Sequence, residues 1–273
     1  MQIKRVSEFA GHTAGINSLA AGLGERGTLL VSGSEDKTAR LWDTRTSKAI
    51  CGIIGFEEEV IAADFAGDNS IAIVSGAYIS IYDQRYVSIV HNSRNNEAVY
   101  VCRGGGGESE IQAISTRGDF VAFVDEDGFP SVLDITDPEL FSGKSARFLG
   151  DAHDAMAACI CFHPEEPFIA TGGFDCQVRV WDVASERVVG RSTASIHANG
   201  THVEANANNS TFNPPFVYAI DFVPWLVNTQ DDSSGGCEQI MVVSGHADGR
   251  IMCTGKNTAV CWTGCHNYSI TAL

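Results

Sequence analysis

Apolar and polar residues alternate in short segments along this chain. In one such segment, Val178 and Val180 alternate with Gln177 and Arg179. A period of two places one side of a strand against a core and the other side in solvent. Similar segments recur, and most are bounded by turns that contain glycine or aspartate, as is typical of short strands. The pattern therefore predicts an all-β fold.

The segments repeat, and two copies are especially close. In both, a turn aspartate is followed at the same distance by a Trp-Asp pair, Trp42-Asp43 in the first and Trp181-Asp182 in the second. Each copy also has a histidine upstream and a hydroxyl residue before the turn. The first set is His12, Ser32, Asp36 and Trp42; the second is His153, Thr171, Asp175 and Trp181. This repetition resembles that of the WD-repeat family.

Three weaker copies extend the resemblance over nearly the whole chain, to about residue 251. They are Ile73-Val74-Ser75-Gly76 with Ile81-Tyr82-Asp83, Val121 to Val124 with Val132-Leu133-Asp134, and Tyr218 to Phe222 with Val242 to Gly249. The resemblance implies a WD-repeat β-propeller with about five recognisable four-stranded blades. The predicted propeller covers 1–263, with blades at 11–54, 55–91, 108–149, 150–192 and 214–263. Insertions at 92–107 and 193–213 are predicted as flexible loops between blades, and 264–273 as an irregular tail.

The C-terminal segment departs from the family pattern. No Trp-Asp pair follows Ile251, and five blades are fewer than the roughly seven that commonly close such a ring. The segment from Val6 to Ala10 resembles the outer strand of a closing blade. We therefore expect a propeller that is incomplete at its C-terminus, from a truncated or alternatively spliced product.

The resemblance also implies a structural role for the repeated polar residues. The His, Ser or Thr, Asp and Trp of each close copy are expected to form a hydrogen-bonded network that ties the strands of one blade together. Buried polar networks are stable when every member is satisfied, which explains why these residue types recur together. A catalytic role for either His-Ser-Asp set is disfavoured, and we expect no enzymatic activity.

Charge and composition narrow the function classes. The formal net charge of −16 disfavours direct nucleic-acid binding, because no basic stripe is available to displace counterions from phosphates. The first residues lack the features of a signal peptide, and no window has the length of apolar sequence that a membrane span needs. Nine cysteines, an odd number without a tight framework, fit reduced thiols. We expect a cytoplasmic or nuclear protein.

Other candidate chemistry is weak. Ser34 and Lys37 have the Ser-x-x-Lys spacing of penicillin-binding enzymes, but they lie in a repeat turn without companion motifs. The glycines at 104–107 lack the lysine and hydroxyl of a phosphate loop. The C-terminal cysteines and histidine are residue types that bind zinc, yet no Cys-x-x-Cys pair occurs among them: Cys237, Cys253, Cys261, Cys265 and His266. We expect no metal and no cofactor.

The sequence around Arg45 carries the clearest functional motif. It resembles the "WDxR" box by which many WD-repeat proteins dock onto the damaged-DNA-binding adaptor of cullin-four ubiquitin ligases, and a degenerate second copy ends at Arg85. An arginine just past a strand end presents a planar donor fork to a partner. The predicted adaptor-binding residues are Asp36, Trp42, Asp43, Arg45, Tyr82, Asp83 and Arg85. The alternative is that Arg45 is simply a solvated arginine.

A closer resemblance favours docking. Four segments are similar to those of the WD repeat-containing protein 53 family: Tyr82-Asp83-Gln84-Arg85, Asp127-Gly128, Gly173 to Val178 and Asn213-Pro214-Pro215. Members of that family are regarded as candidate substrate receptors of cullin-four ligases. That resemblance implies a non-enzymatic protein-interaction propeller that docks on the adaptor and presents another face to a substrate. The alternative is a general scaffold for a multiprotein complex, with no ligase link.

Overall fold

The predicted all-β fold is confirmed. The computed structural model describes residues 7–22, 27–85, 98, 100–103, 109–137, 146–193, 214–223, 240–255 and 259–262. Those residues form twenty strands arranged as five four-stranded sheets. Within these ranges there is no helix, and so none of the length and apolarity that crossing a membrane requires.

Each sheet takes its four strands consecutively from the chain. The first contains β1 (Ile16–Ala21), β2 (Leu29–Ser34), β3 (Thr38–Asp43) and β4 (Lys48–Ile53). The second contains β5 (Val60–Ala66), β6 (Ser70–Ser75), β7 (Tyr78–Asp83) and β8 (Tyr100–Arg103). The third contains β9 (Ile111–Arg117), β10 (Phe120–Asp125), β11 (Pro130–Asp134) and β12 (Arg147–Phe148).

The fourth sheet contains β13 (Ala157–Phe162), β14 (Phe168–Gly173), β15 (Gln177–Asp182) and β16 (Arg187–Thr193). The fifth contains β17 (Val217–Phe222), β18 (Val242–His246), β19 (Ile251–Thr254) and β20 (Ala259–Trp262). The chain folds as two compact units: β1 to β9 belong to the first, β13 to β20 belong to the second, and the boundary runs through the third sheet.

Inside each unit, the sheets pack face to face through alternate side chains. One apolar cluster joins the first and second sheets and includes Val31, Leu41 and Ile73, all buried. A second cluster joins the second sheet to the third and includes Ile79 and Phe123. In the second unit, the fourth and fifth sheets share a corresponding cluster. Burying these faces in pairs is what makes such short strands stable together.

A small residue is needed where the second strand of a sheet meets the next sheet. A Cβ added to Gly33 would lie 2.6 Å from the Val60 side chain, and one added to Gly172 would lie 2.3 Å from that of Val217. These approaches are too close for any side chain to be accommodated without displacement. The glycine therefore sets the sheet spacing at equivalent places in the two units.

Two expectations about strand positions are wrong. Residues 100–103, which fall inside the predicted loop at 92–107, form β8 and pair with β7, with Ile81 opposite Tyr100. This pairing satisfies the edge of β7, which would otherwise be left open. Residues 7–10 of the expected N-terminal strand are not a strand. Phe9 instead packs edge-on against Trp42, with ring centroids 5.8 Å apart.

The sequence after Ile251 supplies the last two strands of the fifth sheet. β19 pairs with β18 and then with β20, where Ile251 lies opposite Trp262. The missing Trp-Asp pair therefore does not prevent a four-stranded sheet here. Val6, residues 194–213 of the second predicted insertion and the predicted tail at 264–273 lie outside the described residues.

Candidate functional site

A hydrogen-bonded network connects the strands of the first sheet. His12 Nδ1 lies 2.9 Å from Asp36 Oδ2, and His12 Nε2 lies 2.7 Å from Ser32 Oγ. The Trp42 indole Nε1–H donates to the same Ser32 oxygen at 2.8 Å. Since the carboxylate only accepts, His12 is assigned a proton on Nδ1, and Ser32 then donates to Nε2. Every polar side chain of this network therefore has a hydrogen-bond partner.

The fourth sheet contains the same network with threonine in place of serine. His153 Nδ1 lies 2.9 Å from Asp175 Oδ2, and His153 Nε2 lies 2.8 Å from Thr171 Oγ1. Trp181 Nε1–H donates to that hydroxyl at 2.9 Å. Arg179 adds a further bond to the Asp175 carboxylate at 3.3 Å. The two networks thus have the same order and nearly the same distances.

The electrostatics of both aspartates fit a structural role. Burial alone would raise the pKa of Asp36, but hydrogen bonds from Thr38, the Thr13 amide and His12 outweigh it and hold this pKa well below its usual value. Burial would likewise raise the pKa of Asp175, but the hydrogen bond from His153 and the backbone amides of Gln177 and Asp154 outweigh burial and lower this pKa. Ser32 is only 1% exposed and already accepts the Trp42 bond, so its hydroxyl is not presented to a substrate.

Arg45 is held in place by the aspartate of the first Trp-Asp pair. Its Nε and Nη2 atoms donate to the two oxygens of Asp43 at 3.1 and 2.9 Å, and the arginine side chain is 71% exposed. The Arg45 backbone amide also donates to Asp43 at 2.8 Å. These bonds lower the pKa of Asp43. The result is a two-point clamp that orients an exposed guanidinium.

Arg85 forms the same clamp after the third strand of the second sheet. Its Nε donates to Asp83 Oδ1 at 2.9 Å and its Nη2 to Oδ2 at 2.5 Å, with the arginine side chain 60% exposed. The Arg85 amide bonds Asp83 at 2.9 Å, as in the first sheet. Hydrogen bonds from Arg85 lower the pKa of Asp83. We call the two pairs, Arg45 with Asp43 and Arg85 with Asp83, the arginine clamps.

The structure separates the other predicted adaptor-binding residues from the clamps. Trp42 and Tyr82 are 3% and 7% exposed, so they are core residues and not contact residues. Asp36 lies in the turn before β3, whereas Arg45 follows the other end of that strand. Six residues of β-strand span about 20 Å. Asp36 therefore supports the first sheet, and the predicted motif does not form one contiguous surface.

Comparison with known families identifies the repeat. The family described as "WD domain, G-beta repeat" matches residues 3–43 and 143–182, which contain both networks. The chain carries WD repeats in these two segments. WD domains typically bind other proteins and are generally interaction domains without enzymatic activity, and the buried histidine networks fit that description.

Relatives of this WD-repeat protein include larger proteins. It is 25% identical over 206 residues to the WD repeat-containing protein 53 homolog of Dictyostelium discoideum. That alignment covers 71% of this chain and 53% of the Dictyostelium protein. It is 24% identical over 200 residues to Restriction of telomere capping protein 1 of Lachancea thermotolerans, and 23% over 208 residues to that of Saccharomyces cerevisiae. The chain spans about half of the first relative and 13% of the other two.

Sequence reasoning missed a third histidine, in the fifth sheet of this WD-repeat protein. His246 Nδ1–H donates to the Pro215 carbonyl at 3.1 Å, and Ser244 Oγ–H donates to Nε2 at 2.9 Å. Desolvation by burial lowers the pKa of His246, which favours the neutral ring. The histidine here comes from β18 itself instead of from the loop before the first strand, so the usual spacing gave no signal.

The cysteines do not form a site among the described residues. Burial raises the pKa of Cys51 to about 11 and that of Cys159 to about 12, so both are unreactive core thiols. Within the described ranges, no three His, Cys, Asp or Glu side chains are grouped to hold a metal ion. Three of the C-terminal residues of zinc-binding type, Cys237, Cys265 and His266, lie outside those ranges.

Proposed function

We propose that this WD-repeat protein is a non-enzymatic interaction protein that docks through its arginine clamps onto the damaged-DNA-binding adaptor of cullin-four ubiquitin ligases. The observation that carries the proposal is the duplicated clamp. Arg45 and Arg85 follow the third strands of consecutive sheets, and in both cases Nε and Nη2 bond both oxygens of an aspartate two residues earlier.

The clamp geometry favours docking over the alternative that Arg45 is simply a solvated arginine. A free arginine loses side-chain entropy when a partner immobilises it, whereas a clamped guanidinium is already oriented. The Nη1 group of Arg45 makes no hydrogen bond to any residue that the structure describes, so it remains available to a carboxylate or carbonyl of the partner. The Arg85 guanidinium is held in the same way at the equivalent place in the second sheet, so the two clamps give a partner a spaced pair of oriented guanidinium groups.

The position of the clamps leaves the rest of the sheets for a second partner. Arg85 lies two residues beyond the C-terminal end of β7, and the N-terminal end of that strand, at Tyr78, is about 20 Å away. A substrate bound near Tyr78 would not compete with an adaptor bound at Arg85. Ligase chemistry would belong to the partners, and we expect the protein in the cytoplasm or nucleus.

The test is recovery of the purified adaptor by the full chain carrying Arg45→Ala and Arg85→Ala. We expect the wild type to retain the adaptor and the double variant to lose at least about nine-tenths of it, because both oriented donors are removed. The matched control is Arg187→Ala with Arg191→Ala, which removes two exposed arginines from the fourth sheet. Equal recovery by the clamp variant and the control would refute the proposal.

A general scaffold with no ligase link is the second candidate. It is favoured by the breadth of the relatives, since the matches to Restriction of telomere capping protein 1 cover only 13% of those much longer proteins. On that account, an unbiased list of bound proteins contains no ligase component, and the clamp variant leaves the list unchanged.

A further inference from the structure

A cleft of about 510 Å³ opens at the end of the second sheet that lies away from Arg85. Three segments enclose it: the connection from β4 to β5, the turn between β6 and β7, and the residue before β9. Its walls are formed chiefly by Phe56, Glu57, Glu58, Gly76, Tyr78 and Glu110. The volume is in the range that holds one or two side chains of a ligand.

Hydrogen bonds between the three segments hold the cleft open in one shape. Ser75 Oγ–H donates to the Glu58 carbonyl at 2.9 Å, and the Ile111 amide donates to the Gly76 carbonyl at 3.1 Å. Gly76 has a φ of +57°, and the Glu58 side chain packs over the place where a Cβ would be. The cleft is therefore preformed, which lowers the entropy cost of binding.

The chemistry of the walls combines negative charge with aromatic surface. Glu57, Glu58 and Glu110 are all exposed, and the chain as a whole carries a formal charge of −16. Tyr78 is 44% exposed beside them, and Phe56 is fixed edge-on to Tyr82 at 6.3 Å. Beside this acidic wall, the Lys37 ammonium donates to the Glu57 backbone carbonyl.

We propose that this cleft binds a lysine- or arginine-rich segment of a protein partner, with one basic side chain inserted between the glutamates and Tyr78. The apolar stem of lysine or arginine would cover the aromatic surface while its charged end reaches the carboxylates. Charge complementarity selects this occupant, since an acidic peptide or a nucleic-acid phosphate is repelled by the same wall. The proposal rests on the proposed function in one respect: the basic segment belongs to the substrate that a docked chain presents.

The test is fluorescence anisotropy of the full chain with a short labelled peptide in which lysine alternates with glycine. Glu57→Gln, Glu58→Gln and Glu110→Gln are combined, because glutamine keeps size and hydrogen bonding while removing charge. We expect the dissociation constant to rise at least about tenfold, as expected for loss of several charge pairs. The control, Glu165→Gln with Glu166→Gln and Glu186→Gln, makes the same change in net charge at exposed positions of the fourth sheet.

Two outcomes would overturn the inference. Equal binding by the cleft variant and the wild type shows that the cleft is not the site, and equal weakening in both glutamine variants shows attraction to overall charge. Adaptor recovery separates this proposal from docking. The cleft variant is expected to keep the adaptor, while the Arg45→Ala, Arg85→Ala chain keeps the peptide.

Discussion

The first and second sheets carry the same arginine clamp, but the buried residues inside the two sheets differ. In the first sheet, Ser32 lies opposite Arg40 and joins the buried histidine network. In the second sheet, the equivalent position opposite Ser80 is Ile73, which is completely buried in apolar contacts. Both sheets nevertheless keep the hydroxyl bond at the strand end, from Ser34 to the Gly15 carbonyl and from Ser75 to that of Glu58.

The comparison separates what stabilises a sheet from what a sheet presents. A polar network and an apolar residue both fill the same place in the strand, so the network is one of two ways to build the interior. The arginine clamp occurs both in the sheet with the polar network and in the sheet with the apolar interior. It is local to the Asp-x-Arg segment, and its geometry does not depend on the histidine network.

Exchanging the interior of the second sheet for that of the first is expected to have the largest effect. Ile73→Ser removes a fully buried side chain and leaves a hydroxyl with no histidine or tryptophan to bond. We expect the free energy of unfolding to fall by about 4 kcal/mol or more. Urea unfolding followed by tryptophan fluorescence measures it, with Ile73→Val as the control at about 1 kcal/mol. A loss no larger than that of the valine variant would contradict the account of this position.

Removing the centre of the network in the first sheet is expected to have the next largest effect. Ser32→Ala leaves His12 Nε2 and the Trp42 indole without their shared partner. The expected loss is about 2 to 3 kcal/mol in the same urea measurement. Ser32→Thr, the residue that the fourth sheet uses at Thr171, keeps the hydroxyl and should cost much less. Equal losses in the two variants would show that the hydroxyl is not what matters.

Acid should affect the first sheet through Asp36, which has no counterpart in the Gly76-Ala77 turn of the second. The pKa of Asp36 is lower in the folded protein than in the unfolded protein. The carboxylate therefore stabilises the fold above about pH 4, and this contribution is lost as the pH falls through the pKa of the folded state. Asp36→Asn should therefore cost about 1 to 2 kcal/mol at neutral pH and progressively less in acid. Unfolding midpoints of both proteins across the acid range measure this. A difference independent of pH would contradict it.

The sequence predicted the repeated interior well and the departures poorly. The strands around Trp42 and Trp181 are visible because the turn aspartate and the Trp-Asp pair occur at fixed spacing. β8 was missed because its sheet is completed after an insertion, so the spacing no longer locates the fourth strand. His246 was missed because its ring reaches Ser244 from the same strand, a geometry that does not follow the repeat.

The functional surface was only partly visible in the sequence. The clamps are local, since Asp43 and Asp83 lie two residues before their arginines, and a motif captures them. Asp36 matches the same docking motif in the sequence, but the extended strand β3 places it at the opposite end of that strand from Arg45. The acidic cleft has no sequence signature, because Glu58, Tyr78 and Glu110 come from three segments that only folding brings together.

The most direct test of the central claim is the dissociation constant of the adaptor for three forms of the full chain. They are the wild type, Arg45→Lys with Arg85→Lys, and Arg45→Ala with Arg85→Ala. Lysine keeps the charge but lacks the planar fork that two aspartate oxygens hold. The account predicts that the lysine form binds at least about tenfold more weakly than the wild type and close to the alanine form, with unchanged stability. Binding by the lysine form equal to that of the wild type would contradict it.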